Sequence, residues 1–489
     1  MQDRQQVEEV LEERKIVLNR PHHMLMLAPG DMVEGICRTI HMANAFCEAG
    51  TKVTLVCRPQ LTDNAKQLKC LLHKNASVYI ARANTDRQIL HQLVVKRLAE
   101  EKDLPMAERY DLTAVFEESA KIEFERESSS LRSQLIKRMP FRIQRLIRQI
   151  FDEDAAFGRA YLGRILPPHL YQKYKDLLQL YHYNYFFLIQ TLIIHKFVEP
   201  IDAIFAHELW TLPVGCATKE LLGIPLLYDS HEIGTGIFMD SILQNIALFN
   251  EKWMYQLCDS FSTTSEGMAN YYRELCPFLN VLVISNAHRK LWHRPADLST
   301  LKERLSLPPG TPLAVYVGNL HPISHLDRFI EALAHCGEDL HLAIVGSGGD
   351  IERYRQIAET SNLENRVFFL GRVDFEEVFG TIYGADFGII PNLQNYTNPA
   401  NAVLSAKLFD YAQVEMPFIS DHGAEIQKIV DQFRVGQTVN FQQPPVAIAK
   451  MLDDFYKRVM AGEFPENERK RARESFVWPT NVVDQILSC

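Results

Sequence analysis

Several common signatures are missing from this chain. None of its nine cysteines forms a CxxC pair or shares a metal-type spacing with histidine, and an odd count suits a reducing compartment, so they read as core thiols. The opening stretch, MQDRQQVEEVLEERK, has no apolar region of the kind that directs export. Phe186 to Ile194 is the most apolar segment, but Gln190 interrupts it and Asn184 and His195 bound it, so it is too short to span a bilayer. These absences predict a cytoplasmic protein. An excess of base is missing too: the net charge of −9 argues against a general nucleic-acid binder, leaving only local basic function. A GxGxxG fingerprint is also absent. Gly30 and Gly35 stand five apart, open to reading as ligand-loop glycines or as simple turn glycines.

What is present is ordinary globular composition, 47% hydrophobic and 23% charged, over 489 residues. That length exceeds one core and predicts two domains with an extension. His23 to Leu27, a turn, a helix over Ile36 to Ala49 and the strand Val53 to Cys57 make a βαβ unit. The alternation then breaks from 86 to 198, where long helical periodicity predicts an insertion. Within it Leu131 to Phe151 carries six bases and no acid, with apolar residues at helical spacing. Such a helix either lies on an anionic membrane or packs with a solvated basic face. The acids Asp152 to Asp154 that follow read as charge compensation rather than a metal motif.

Alternation resumes with the strand Ala203 to Ala206, a helix ending at Leu222 and the strand Pro225 to Tyr228 running into DSHE. His207 and His231 thus follow strand ends, where a parallel sheet presents its loops. SNAHRKLWHRP, with a polarity shift at His288 to Pro295, reads as a linker. From Leu313 a second doubly wound series follows: LAVYVGN, LHLAIVGSGGD, RVFFLGRV, then the strand Phe387 to Pro391 and an Asn-rich loop. A helix is expected next, capped by Asn398 with Pro399 or by Asn401. Lys407 and Asp410 lie three apart on its polar face. Ala402 to Asp410 would span about 12 Å, the reach from a diphosphate to its ribose.

In order and spacing, VGN, IVGSGG, FLGRV and KLFDY followed by PFIS resemble the retaining glycosyltransferases of the two-domain GT-B fold, family 4. The resemblance implies an α/β chain of two doubly wound Rossmann-like domains: an N-terminal acceptor domain, 1–290, with the insertion at about 86–198; a donor domain, 291–465; and a closing helix, 466–489, that crosses back. It implies a nucleotide-sugar substrate, retention of configuration, no metal and no further cofactor. By the same resemblance the donor is held by Gly35, Gly318, Asn319, Gly346, Gly348, Gly371, Arg372, Val373, Lys407 and Asp410. His207 is the catalytic candidate facing the sugar, and His231 and Glu232 belong to the cleft. The acceptor implied is a glycan or lipid-linked saccharide, at the inner face of a membrane if the basic helix binds one.

Two departures matter, one being Ala402 where the family has an acid eight residues before Asp410. Relatives place an Arg and a Lys, or one base, after VG to neutralise the diphosphate, whereas Asn319 and Ser324 stand here, and fixed cations at such a point are commonly worth several kcal/mol. A second function class therefore stays open: a catalytically silent GT-B subunit that binds a partner transferase or a sugar. A phosphorylase or an epimerase finds less support, lacking a pyridoxal lysine signal and paired carboxylates.

Overall fold

The computed structural model describes residues 18–28, 37–57, 72–80, 187–188, 190–192, 194–233, 248, 251–320, 324–337, 339–374, 377–391 and 404–489. Gly35, the basic stretch 131–151, the acids 152–154 and the loop 392–403 lie outside these residues. So does most of the expected insertion; of its described part, Ile194–Val198 is a π-helical turn.

The chain divides into two compact units, Met1–Gly234 with Asp240–Phe261 and Val483–Cys489, and Thr235–Met239 with Ser262–Val482. The first sheet is built from β1 (His23–Ala28), β2 (Lys52–Cys57), β3 (Ala76–Ile80), β4 (Ala203–His207), β5 (Leu226–Ser230), β6 (Ser260–Thr263) and β7 (Val281–Val283). Its order is β3-β2-β1-β4-β5-β6-β7, with β3 to β2, β2 to β1, β1 to β4 and β4 to β5 all parallel. Runs such as HMLMLA are buried along their whole length, as expected where helices cover both faces of a parallel sheet. The order reverses between β1 and β4, and that switch point is where such sheets bind ligands.

The second sheet joins β8 (Leu313–Val317), β9 (His341–Val345), β10 (Val367–Gly371), β11 (Phe387–Ile390), β12 (Phe418–Asp421) and β13 (Gly436–Val439). Its order is β10-β9-β8-β11-β12-β13, parallel throughout. This is the doubly wound arrangement with its switch point between β8 and β11. Phe329, Leu342, Ile344, Phe387, Ile419 and Phe455 sit in one continuous core beneath it.

One element begins later than the sequence suggests. The helix that carries Lys407 and Asp410 runs over Ala406–Gln413 with Ser405 at its N-cap position, so neither Asn398 nor Asn401 caps it. Leu404 and Ser405 are not helical, and Ser405 is extended. Asparagine and serine side chains compete for nearby backbone groups, which favours turns over helix in such a polar run. Strands β3 and β13, and the helices Ala424–Phe433 and Pro445–Met460, were not singled out by the sequence reading.

Candidate functional site

At the switch point of the first sheet, β4 ends in His207 and β5 carries Asp229 into Ser230, His231 and Glu232. Arg38, on the helix Cys37–Glu48 that follows β1, reaches the same spot. Its Nε donates to Asp229 Oδ2 at 2.7 Å and one terminal nitrogen donates to Oδ1 at 2.8 Å. His231 Nε2 also donates to Oδ2, at 2.7 Å, and His231 Nδ1 lies 3.1 Å from Glu208 Oε1. His207 Nδ1 is 3.4 Å from both Asp229 Oδ2 and His231 Nε2. The ring of His207 stacks on Phe205, and its buried Nε2 has no hydrogen-bond partner among the described residues. Glu208 has a φ of 66°, a left-handed backbone unusual for a residue with a side chain and common at functional sites.

Burial and charge set the protonation of this cluster. Burial lowers His207 to about 4, outweighing the pull of Asp229. Burial likewise raises Glu208 to about 7, against the opposing effect of His231. For Asp229, burial pushes upward, yet Arg38 and His231 hold the carboxyl well below its usual range. For His231, burial pushes downward, yet Glu208 and Asp229 outweigh it and raise the ring. His231 therefore favours the charged state between two acids, while His207 is neutral. A further acid, Glu251, is buried and raised to about 8 by that burial, with Tyr255 opposing and the charge of Glu208 adding.

His207, Asp229 and His231 lie close enough to hold a metal ion. Arg38, however, occupies both oxygens of Asp229 and brings a positive charge of its own, which disfavours a cation there. What the cluster offers is a buried neutral imidazole. If Asp229 holds the His207 proton on Nδ1, Nε2 is left as an acceptor. Glu232 is exposed, and its backbone carbonyl accepts from Ser230 Oγ at 2.7 Å.

The second unit gathers most of the expected donor residues at the carboxyl edge of β8, β9 and β10. Gly318 N donates to Val345 O, Leu320 N to Ser347 O and Gly346 N to Gly371 O, which ties three strand ends together through backbone. The approach is so close that a Cβ on Gly346, whose φ is 147°, would meet Gly318 O at 1.9 Å. Lys407 lies against the same loop, with Nζ 3.1 Å from the point where a Gly318 side chain would begin and 5.0 Å from the Tyr316 ring. Asn319 is exposed and Ser324 is buried; Ser324 Oγ and Tyr316 OH both donate to the backbone carbonyl of Asn319, at 2.6 and 3.0 Å. Gly348 closes against Leu320 O, and Gly371, at φ 75°, leads into exposed Arg372 and half-buried Val373.

Asp410 sits one helical turn beyond Lys407, and its carboxylate Oδ1 accepts from His288 Nε2 at 3.0 Å. The linker that carries His288 is not loose. Trp478 N donates to His288 O and Trp478 Nε1 to Ser285 O. Arg38, Glu208, Asp229, Glu251 and His288 are the side chains that sequence reasoning did not select. Glu208 and Asp229 stood beside the chosen histidines in HELW and DSHE. Arg38 and His288 carry no local signal, because their partners are 191 and 122 residues away.

Residues 311–457 match the family described as Glycosyl transferases group 1. An uncharacterized glycosyltransferase of Methanocaldococcus jannaschii is 26% identical over 174 residues, which cover 34% of this chain and 42% of that protein. The match thus spans less than half the length of this curated relative. Among solved structures, Anabaena HepE in complex with UDP-glucose superposes with a TM-score of 0.59 at 14% identity, covering 95% of this chain and 98% of that one. Sucrose-phosphate synthase from Thermosynechococcus elongatus gives 0.55 at 15% identity over 95% and 96% of the two chains. The chain has the two-sheet GT-B fold of these structures, and its residues 311–457 match the model of the Glycosyl transferases group 1 family.

Proposed function

We propose that this protein moves a sugar from a nucleotide-sugar donor to an acceptor with retention of configuration. The observation that carries the reading is that Lys407 lies against Gly318 at the β8 switch point, one turn from Asp410, inside the family-matched segment. The glycine-lined edge offers the close backbone approach that a diphosphate needs, and Lys407 supplies a positive charge beside it. Asp410 would accept from the ribose hydroxyls. Gly35, Arg372 and Val373 complete the proposed donor contacts, and His207 is the proposed residue facing the sugar, with its Nε2 as acceptor for a hydroxyl.

In a retaining transfer of this type the donor phosphate oxygen can take the acceptor proton, so neither a metal nor a protein base is required. We assign the acceptor to the glycan or lipid-linked saccharide class. His231 and Glu232 lie on the acceptor side in this reading, and the stretch 131–151 would dock an anionic membrane from the cytoplasmic side. No helix among the described residues is long and apolar enough to cross a membrane. The docking is tested by changing Arg142, Arg145 and Arg148 to Gln: unchanged sedimentation with anionic liposomes discards it.

A second reading, a silent GT-B subunit that binds a sugar or a partner transferase, draws on Asn319 and Ser324. The Ser324 hydroxyl donates to the Asn319 backbone carbonyl, at a position where the family it resembles holds a cation. Calorimetry with UDP, GDP and ADP and their sugars, on wild type and Asp410→Ala, separates the readings. Uridine nucleotides come first because HepE, with this fold, holds UDP-glucose. One nucleotide class bound through Asp410, with turnover, supports the transferase; binding without hydrolysis or transfer supports the silent subunit. Absence of binding to every nucleotide overturns the donor site.

A further inference from the structure

We infer that His288 is a positioning residue for the nucleotide ribose: it grips one oxygen of Asp410 and so presents the other to the ribose hydroxyls. The inference rests on the donor-site reading above and adds to it a residue from the linker.

The geometry is specific. His288 Nε2 lies 3.0 Å from Asp410 Oδ1. An ionised carboxylate can only accept, so the proton of that contact belongs to His288 Nε2. Asp410 Oδ2 has no hydrogen-bond partner among the described residues. The pair is largely shielded, with His288 and Asp410 side chains 9% and 15% exposed, so the contact is little weakened by water. A lone aspartate on a helix surface samples several rotamers; one held through a single oxygen keeps its second in a fixed place.

His288 can do this because it is itself held from three sides. Its carbonyl accepts from Trp478 N at 3.0 Å, and it forms a parallel bridge with Val477. Phe379 meets its ring edge-on, with centroids 4.8 Å apart. Four residues on, Trp292 N donates to Gln413 Oε1 at 2.8 Å, one turn along the helix from Asp410. The linker is thus fastened along the polar face of the helix at two successive turns. Ordering Asp410 before the ligand arrives removes an entropic penalty from binding.

The test is a hydroxyl-dependence ratio. Affinities of UDP, GDP and ADP and of their 2′,3′-dideoxy counterparts are measured calorimetrically for wild type, His288→Val and His288→Gln. The amide of Gln reaches the place of Nε2, whereas Val has no donor. For the nucleotide that binds, wild type and His288→Gln are expected to prefer the ribonucleotide by tenfold or more. In His288→Val the preference falls to within about threefold, with the dideoxy affinity unchanged. Equal losses for both ligands, or a preserved ratio in His288→Val, overturn the inference and leave His288 a packing residue. Should His288→Val fail to fold, His288→Asn replaces it: its amide is too short to reach Oδ1, so the ratio is expected to fall there, and a ratio kept by both Asn and Gln overturns the inference. Failure of wild type to bind any of the three nucleotides defeats the donor-site reading itself, which separates the two failures.

Discussion

Arg38 grips both carboxylate oxygens of Asp229 at 2.7 and 2.8 Å across 191 residues of sequence, in an interior where both side chains are buried. Removing one partner of such a pair strands the other. Arg38→Met is expected to destabilise the protein by about 3–5 kcal/mol. The double change Arg38→Met with Asp229→Leu should recover part of that, because the buried carboxylate goes with its guanidinium, while His231 keeps only Glu208 as its acid. Urea unfolding of the three proteins checks it; equal losses in single and double variants would show that the pair's charge is not what matters.

Glu251 gives a pH prediction with a definite sign. In the folded chain burial keeps its proton up to about 8, whereas the unfolded chain releases it near the ordinary 4.5. Between those values the native state holds more protons, so stability falls as pH rises, by about 1.4 kcal/mol per unit for this group. Glu251→Gln removes that slope. The variant should match wild type near pH 4.5 and exceed it at pH 8. His207 contributes an opposite slope from about 4 to 6.5, rising with pH, but does so in both proteins and cancels in the difference. Denaturant curves at the two pH values decide, and parallel behaviour of the two proteins refutes the assignment.

The loop at the end of β9 supplies an internal control. Gly346→Ala forces a side chain against Gly318 O at a φ of 147° and should destabilise by about 1–3 kcal/mol, with loss of nucleotide binding. Gly349→Ala, three residues on, meets nothing within 4 Å and should shift stability by less than about 0.5 kcal/mol. Comparable melting of both variants would mean that the backbone approach is not rigid.

Tyr411 bridges β8 and β11 from within the Lys407 helix, its hydroxyl donating to Val315 O at 3.1 Å and Ile389 O at 3.0 Å. Tyr411→Phe leaves those carbonyls without this donor and should reduce stability by about 1–3 kcal/mol. A melting temperature equal to that of wild type would place the hydroxyl's contribution near zero.

The sheets were legible in the sequence because strands covered on both faces are written as unbroken apolar runs, HMLMLA and LAVYV among them. Strand β13, GQTV, is short and half polar and gives no such signal. The start of the Lys407 helix was read too early, because asparagine and proline suit a cap and a turn equally. Gly318, Gly346 and Gly348 each stand where backbone meets backbone or a neighbouring side chain crowds in. The partners of Asp229 and Asp410 could not be read locally. Periodicity describes one element at a time, whereas Arg38 and His288 reach their acids only after the chain has folded back across more than a hundred residues.

The short segment Val483–Cys489 belongs to the first unit, where Ser260 Oγ donates to Ile486 O, Leu18 N to Leu487 O and Arg20 pairs with Asp484. Translation supplies these partners in the wrong order for early completion. The whole stretch 262–482 must leave the ribosome before residue 483 does. At roughly 5–20 residues per second that is a delay of roughly ten to forty seconds. During that interval the nascent first unit waits with its closing seam open, a natural stage for chaperone engagement.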